Sequence, residues 1–94
     1  MATVLQPYLR LIDSYASDRL SPNKFESLFL SLYLNDQTRW PREVFDILDG
    51  LFAEVDAYVG DPNVRADVIG AVSGDDMRIY AKDVWSRLNA VLTR

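Results

Sequence analysis

The 94-residue chain contains no cysteine and no histidine. Without cysteine it can form neither a disulfide nor a thiolate zinc site, and it has no cysteine nucleophile. Without histidine it lacks the side chain that most often transfers protons at neutral pH and the commonest ligand of transition metals. These absences remove most of the chemistry that small enzymes use. The sequence therefore predicts a protein that is not an enzyme and that needs no metal or cofactor.

Long apolar runs are also missing from the chain. The longest uninterrupted apolar stretches are only a few residues, whereas a membrane-spanning helix needs roughly 20. The N-terminus lacks the basic segment followed by an apolar segment that marks a secretory signal. We therefore expect a cytoplasmic protein that does not bind a membrane.

The overall composition is that of a folded protein. Apolar residues make up 49% of the chain and charged residues 26%, a balance that favours a soluble globule over a disordered chain. Ninety-four residues leave no room for a second hydrophobic core. We expect residues 1–94 to form one domain.

Negative charge is concentrated in one part of the chain. The net charge is −4, yet residues 43–76 contain nine acids and a single base, Arg65, whereas the rest contains five acids and nine bases. A surface of this sign repels nucleic acid phosphates and attracts a cationic partner, whose approach it also accelerates. We favour a recognition surface for a basic protein over a merely solvated face, and we expect no binding of nucleic acid.

Apolar periodicity predicts four helices and no strand. The second helix begins at Ser21-Pro22, the third covers residues 41–58, and the last begins near Ser73, with residues 64–72 as a connector that has room for a short helical turn. The inward-facing residues predicted for the last helix are Met77, Tyr80, Ala81, Val84, Trp85, Leu88, Val91 and Leu92. We predict an all-α fold, a single antiparallel four-helix bundle.

The third predicted helix is amphipathic, with an acidic outer face. Its predicted inner face consists of Val44, Ile47, Leu48, Leu51, Phe52, Val55, Tyr58 and Val59, and its outer face carries Glu43, Asp46, Asp49, Glu54 and Asp56. No lysine or arginine follows any of these carboxylates three or four residues further along the helix, where it could neutralise them.

The acidic residues match no catalytic or calcium-binding pattern. A catalytic carboxylate pair needs one acid in an apolar pocket and one in water, and nothing in the sequence supplies that contrast. The segment that starts at Asp61 resembles the opening of a calcium loop, but Ala66 replaces the required glycine and Val72 replaces the closing glutamate. We predict no metal site.

Four short motifs follow one another along most of the chain. They are Ser21-Pro22-Asn23-Lys24-Phe25-Glu26 with Phe29, Phe45-Asp46-Ile47-Leu48-Asp49-Gly50-Leu51-Phe52, Val55-Asp56-Ala57-Tyr58, and Asp61-Pro62 with Arg65. Their order and spacing resemble the colicin D-type immunity proteins, and the resemblance runs from about Tyr8 to Leu92.

The resemblance implies a small helical bundle with which a toxin-producing bacterium neutralises its own bacteriocin or contact-dependent toxin. In the best-understood members, acidic residues cover the basic active-site cleft of a tRNA-cleaving nuclease domain. Carried over by position, the partner-binding residues of this chain are Asp46, Asp49, Asp56, Asp61, Asp75 and Asp76. Between Ala66 and Gly74, where such relatives tend to be more acidic, this chain has Val68-Ile69-Gly70-Ala71-Val72. We therefore expect this connector to influence which toxin is bound.

A second interpretation stays open, that of a helical scaffolding or oligomerisation module. The second predicted helix is apolar on two sides, because Leu30 and Leu34 add an edge to its main stripe. Association through an acidic surface weakens as salt rises, whereas an apolar self-interface does not. In either case we expect a monomer or a weak dimer.

Overall fold

A computed structural model describes residues 2–93 of the chain, with side chains from residue 4 onward. The helices are α1 (Ala2–Ala16), α2 (Pro22–Leu34), α3 (Arg42–Asp56), the single turn α4 (Pro62–Arg65) and α5 (Gly74–Leu92). The described residues contain no β-strand, only an isolated parallel bridge between Tyr58 and Val72. The predictions of an all-α fold and of four longer helices are confirmed.

Two serine caps set the helix starts that the sequence predicts. The hydroxyl of Ser21 accepts a hydrogen bond from the N–H of Lys24 at 3.2 Å, and Pro22 occupies the first turn of α2. The hydroxyl of Ser73 accepts from the N–H of Asp76 at 3.1 Å at the start of α5. Each cap satisfies a backbone donor that the helix itself leaves without a partner.

Two helices hold the other two together. Both α2 and α5 contact α1 and α3, and they also contact each other, whereas no comparable contact joins α1 to α3 within the described residues. Where α3 passes α5, Gly50 lies beside Tyr80, whose hydroxyl would be 2.7 Å from a Cβ atom at that position. An added methyl group would require the end of the Tyr80 side chain to shift, while the glycine itself costs α3 about 0.5–1 kcal/mol relative to alanine.

The buried side chains form one apolar cluster, to which all four longer helices contribute. It consists of Leu5, Tyr8, Leu9, Ile12, Tyr15, Phe25, Phe29, Val44, Ile47, Leu48, Leu51, Val55, Met77, Ala81, Val84 and Leu88. None of the described polar or charged residues is buried. The cluster confirms the inward direction of the apolar stripes on α3 and α5.

Seven residues of the predicted stripes lie outside the buried cluster: Phe52, Tyr58, Val59, Tyr80, Trp85, Val91 and Leu92. Phe52 is half-buried, with its ring 5.2 Å from that of Tyr33 on α2. Trp85 is 39% exposed and lines a shallow depression with Leu9 and Arg10 of α1. Helical spacing places Phe52 and Trp85 on the correct side of their helices, but it does not show where the neighbouring helix ends.

A network centred on Asp36 fastens the segment between α2 and α3 to α1. One carboxylate oxygen accepts hydrogen bonds from the hydroxyl of Tyr8 at 2.6 Å and from the indole N–H of Trp40 at 3.0 Å. The other accepts from the N–H of Thr38 at 2.8 Å. Partial burial alone would raise the pKa of Asp36, but the hydrogen bonds from Thr38, Tyr8 and Trp40 outweigh it and lower the pKa.

The core predicts a large difference between two adjacent substitutions on α3. Leu51 is fully buried, so Leu51→Ala should lower the free energy of unfolding by about 2–5 kcal/mol. Phe52→Ala should cost less, about 1–2 kcal/mol, because its ring is only partly buried at the edge of the core, beside Tyr33. Urea unfolding of both variants measures the difference. A Phe52→Ala variant less stable than Leu51→Ala would place Phe52 in the core after all.

The Asp36 network predicts a stability that depends on acid pH. Because the folded-state pKa lies below the ordinary value of 3.8, the stabilisation is fully present above that value and is lost as pH falls through the folded-state pKa. Asp36→Asn should therefore cost about 1.5–3 kcal/mol at neutral pH and progressively less in acid. Thermal unfolding at several pH values, with the exposed Asp13→Asn as control, tests this. A pH-independent difference would show that the carboxylate charge is irrelevant.

Candidate partner-binding surface

One end of the fold collects the end of α3, the turn α4, the connector and the start of α5. Two backbone hydrogen bonds close it: the N–H of Val59 donates to the carbonyl of Val72 at 3.0 Å, and the N–H of Val72 donates to the carbonyl of Ala57 at 2.9 Å. We call this region, residues 54–76, the connector end. It contains six of the nine acids of residues 43–76, which we call the acidic block.

All six predicted partner-binding acids are exposed, and they are spread over α3, the N-cap of α4 and the first turn of α5. Asp56, Asp61, Asp75 and Asp76 belong to the connector end. Asp46 lies in the first half of α3, in a shallow depression that it shares with Arg87 of α5.

Asp46 is also partly neutralised. The guanidinium Nε of Arg42 lies 3.4 Å from its carboxylate, in an i, i+4 ion pair that is largely exposed. The sequence expectation concerns bases three or four residues after each acid, whereas Arg42 lies four residues before Asp46. Such exposed pairs contribute about 0–1 kcal/mol, so the pair lowers the local charge more than it stabilises the fold.

Asp49 faces α2 and has a structural contact. The hydroxyl of Tyr33 donates a hydrogen bond to its carboxylate at 3.2 Å. Burial, together with the negative charge of Asp49, raises the pKa of Tyr33 to about 12, so the hydroxyl keeps its proton at neutral pH. Asp49 thus links α3 to α2 while its side chain stays exposed to solvent.

The connector end carries carboxylates without compensating bases. Asp75 pairs with Arg78 at 3.5 Å, and Arg78 also pairs with Asp18 at 3.1 Å. In the part of the chain that the structure describes, no ion pair neutralises Glu54, Asp56, Asp61, Asp67 or Asp76. These five residues form what we call the acidic end surface.

Arg65, the base inside the acidic block, has a structural role. Its Nη1 donates a hydrogen bond to the carbonyl of Val59 at 2.9 Å, and the residue is half-buried. The contact fastens α4 to the segment that follows α3, while Asp61 caps α4 by accepting from the N–H of Asn63 at 2.9 Å. The guanidinium therefore stabilises the connector and forms no ion pair with the acidic end surface.

Glu54 and Asp67 were not among the predicted site residues. Glu54 is half-buried, and its pKa is raised first by burial and then by repulsion from Asp76 at the start of α5. The sequence places Glu54 on the acidic arc of α3, but only the packing of α3 on α5 shows that its neighbour is another acid. Asp67 lies in the connector, whose path periodicity does not predict.

The described residues contain no group of three or more metal-binding side chains arranged to hold a metal ion. None of the described helices combines the length and apolar character needed to cross a membrane.

The protein is thus small, helical and acidic, and its uncompensated negative charge is concentrated at the connector end. The family profile of bacterial self-protective colicin-like immunity proteins matches residues 2–88. The chain therefore belongs to the colicin-like immunity family, which confirms the resemblance at that level. No curated protein and no solved structure matches the chain.

The acidic end surface predicts a stabilising substitution. The folded-state pKa of Glu54 lies above its ordinary value, so its contribution to stability is present at low pH and is lost as pH rises through that pKa. Glu54→Gln should therefore raise the free energy of unfolding at pH 7 by the few tenths of a kcal/mol typical of relieved like-charge pairs, and with it the melting temperature. The gain should disappear in acid.

Asp83→Asn is the matched control for this variant. Its carboxylate faces Arg87 at 3.8 Å, so neutralising it removes an attraction and should give no gain. A Glu54→Gln variant that melts below the parent at pH 7 would contradict the assigned repulsion.

Proposed function

We propose that this protein neutralises a cognate bacterial toxin by binding the toxin's nuclease domain over a basic, tRNA-binding cleft with its acidic end surface. Membership of the colicin-like immunity family supports a toxin as the partner. The uncompensated carboxylates at the connector end support a cationic site on that partner. Within the family we propose the colicin D type, which the motifs in the sequence resemble.

The proposed mechanism is steric and electrostatic, with no catalytic step. A nuclease that holds tRNA phosphates needs a cationic cleft, and carboxylates in that cleft compete with phosphates for the same lysine and arginine side chains. Proteins of this family are in general inhibitors rather than enzymes. The inhibitor acts in the cytoplasm, where it meets the toxin before release, and it needs neither cofactor nor metal.

We also propose that residues 1–94 form a single domain and that its helices form an antiparallel bundle, an arrangement that suits this role. The hydroxyl of Tyr15, near the end of α1, donates to the carbonyl of Gly74 at the start of α5. The same glycine approaches Pro22 at the start of α2, since a Cβ on it would lie 2.6 Å from the proline ring. Both contacts bring together the end of α1 and the starts of α2 and α5, which supports alternating helix directions.

The four acids of the connector end and the two acids earlier on α3 have different proposed roles. Asp56, Asp61, Asp75 and Asp76 contact the toxin directly, with Asp75 shared between Arg78 and the partner. Asp46 and Asp49 lie outside the centre of the contact and contribute mainly to the rate of association.

The rival function, self-association through α2, has one observation in its favour. Leu34 at the end of α2 is 67% exposed, and Leu28 is 38% exposed beside a groove of about 510 Å³ between α1 and α2. Leu30, however, is half-buried against the core, so the predicted apolar edge is incomplete. Leu34→Ala should leave a monomeric inhibitor unchanged, whereas a dimer built on this edge should dissociate.

A pair of matched double variants tests the electrostatic mechanism. Asp56→Asn/Asp76→Asn removes two charges from the acidic end surface, and Asp13→Asn/Asp83→Asn removes two charges elsewhere, from exposed ion pairs. The first should weaken toxin binding about tenfold or more and slow association, because it removes charges that face the cleft. The second should change binding by no more than about twofold.

The measurements are survival of bacteria that co-express each variant with the toxin encoded beside it, and association rates at low and moderate salt. The parent's association should slow as salt rises, and the slope should be shallower for Asp56→Asn/Asp76→Asn. Equal losses in both double variants would indicate an effect of net charge alone. Full protection by Asp56→Asn/Asp76→Asn, with affinity insensitive to salt, would rule out the electrostatic mechanism.

A further inference from the structure

The connector carries apolar side chains that point away from the core. Ile69 has a relative exposure of 103%, the highest among the described large apolar residues. Val64 and Val68 are 49% and 45% exposed. No residue between 59 and 70 is buried, so these aliphatic side chains contribute little to the stability of the fold.

The backbone holds Ile69 in its exposed position. The N–H of Ala71 donates to the carbonyl of Val68 at 3.3 Å and closes a four-residue turn. Gly70, the third residue of the turn, has φ of 79°, as a type II turn requires at that position and as glycine adopts most readily. We call residues 68–71 the connector tip.

The connector tip is ordered on both sides. Toward α4, the N–H of Asp67 donates to the carbonyl of Val64 at 3.0 Å, and the N–H of Val68 to that of Arg65 at 3.2 Å. Toward α5, the paired backbones of Val59 and Val72 close the base of the segment. A side chain held by backbone hydrogen bonds loses less conformational freedom on binding than one in a flexible loop.

The chemistry around the tip indicates which partner covers it. Asp67 lies two residues before Ile69, Asp61 caps α4 in the same segment, and Asp76 follows in the first turn of α5. An apolar side chain on a segment that also carries carboxylates without ion pairs complements a basic surface that contains an apolar pocket. It does not complement a second copy of this acidic end, because like charges would then face each other.

We propose that Ile69 is an apolar anchor that inserts into a pocket beside the basic cleft of the toxin's nuclease domain. This inference rests on the proposed function and adds the non-electrostatic part of recognition. Exposed carboxylates mainly accelerate encounter, whereas burial of an apolar anchor in a well-packed pocket slows dissociation. Every nuclease that binds tRNA presents cationic side chains, so the apolar contact distinguishes one toxin from another.

The test uses two substitutions at one position. Ile69→Ala removes apolar surface without changing charge, and it should weaken binding about tenfold or more, mainly through faster dissociation. Ile69→Asp adds a negative charge, which a purely electrostatic contact would tolerate or favour. An apolar anchor predicts that Ile69→Asp binds at least as weakly as Ile69→Ala. The probe is the catalytically inactive nuclease domain of the toxin against which the parent protects.

Leu34→Ala is the matched control. It is the same kind of aliphatic truncation at an exposed site, but it lies at the end of α2, away from the connector. It should bind like the parent, and all three variants should melt like the parent because neither side chain is buried. The salt dependence of Ile69→Ala should equal that of the parent, since no charge is removed.

The outcomes separate the anchor from the proposed function. If the parent binds the nuclease domain and Ile69→Ala binds equally well, the anchor is wrong and the proposed function stands. Improved binding by Ile69→Asp also overturns the anchor, because the site then responds to charge alone. A parent that neither protects nor binds overturns the proposed function and the anchor together. Loss of self-association in Ile69→Ala, with toxin binding intact, would make the tip a contact between copies.

Discussion

A continuous series of aromatic rings determines how the helices of this protein meet. Tyr15 of α1 stacks on Phe25 of α2 at 4.3 Å, Phe25 and Phe29 follow along α2, and Tyr33 continues to Phe52 of α3. Phe25 and Phe29 are the buried residues of α2, so these rings anchor α2 in the core where it packs on α1, α3 and α5. Large rigid rings fix relative helix positions more closely than flexible aliphatic side chains do.

The same rings connect the core to the acidic end surface. The guanidinium of Arg78 lies 4.6 Å from the ring centre of Tyr15 and donates to the Tyr15 carbonyl at 3.2 Å. The Tyr15 hydroxyl in turn donates to the carbonyl of Gly74. These contacts fix the first turn of α5, where Asp75 and Asp76 end the acidic block. The position of the proposed binding surface therefore depends on aromatic packing inside the bundle.

The sequence predicts the parts of the fold that local rules govern. Serine caps and the strong amphipathic pattern of α3 predict helix starts and the buried face correctly. The apolar spacing predicts that Phe52 is buried, whereas it is half-buried beside Tyr33, near the end of α2. The count of charges locates the acidic block, but it does not show how each acid is compensated. Arg42 partly neutralises Asp46, whereas Glu54 meets another acid, Asp76, only through the packing of α3 on α5. Contacts between segments that are distant in the sequence explain why Glu54 was not predicted as a site residue. They also give Arg65 its structural role.

The placement of charge at the end of α3 opposes the stability of that helix. Glu54 and Asp56 lie in its last turn, which contains no base, and the negative end of a helix dipole disfavours carboxylates there by about 0.3–1 kcal/mol each. Asp75 and Asp76, in contrast, lie in the first turn of α5, where the dipole favours them. Fold stability therefore accounts for the second pair of acids but not for the first. A surface that retains carboxylates at a stability cost is typical of a binding site, where the partner's cations supply the compensation that the folded chain does not.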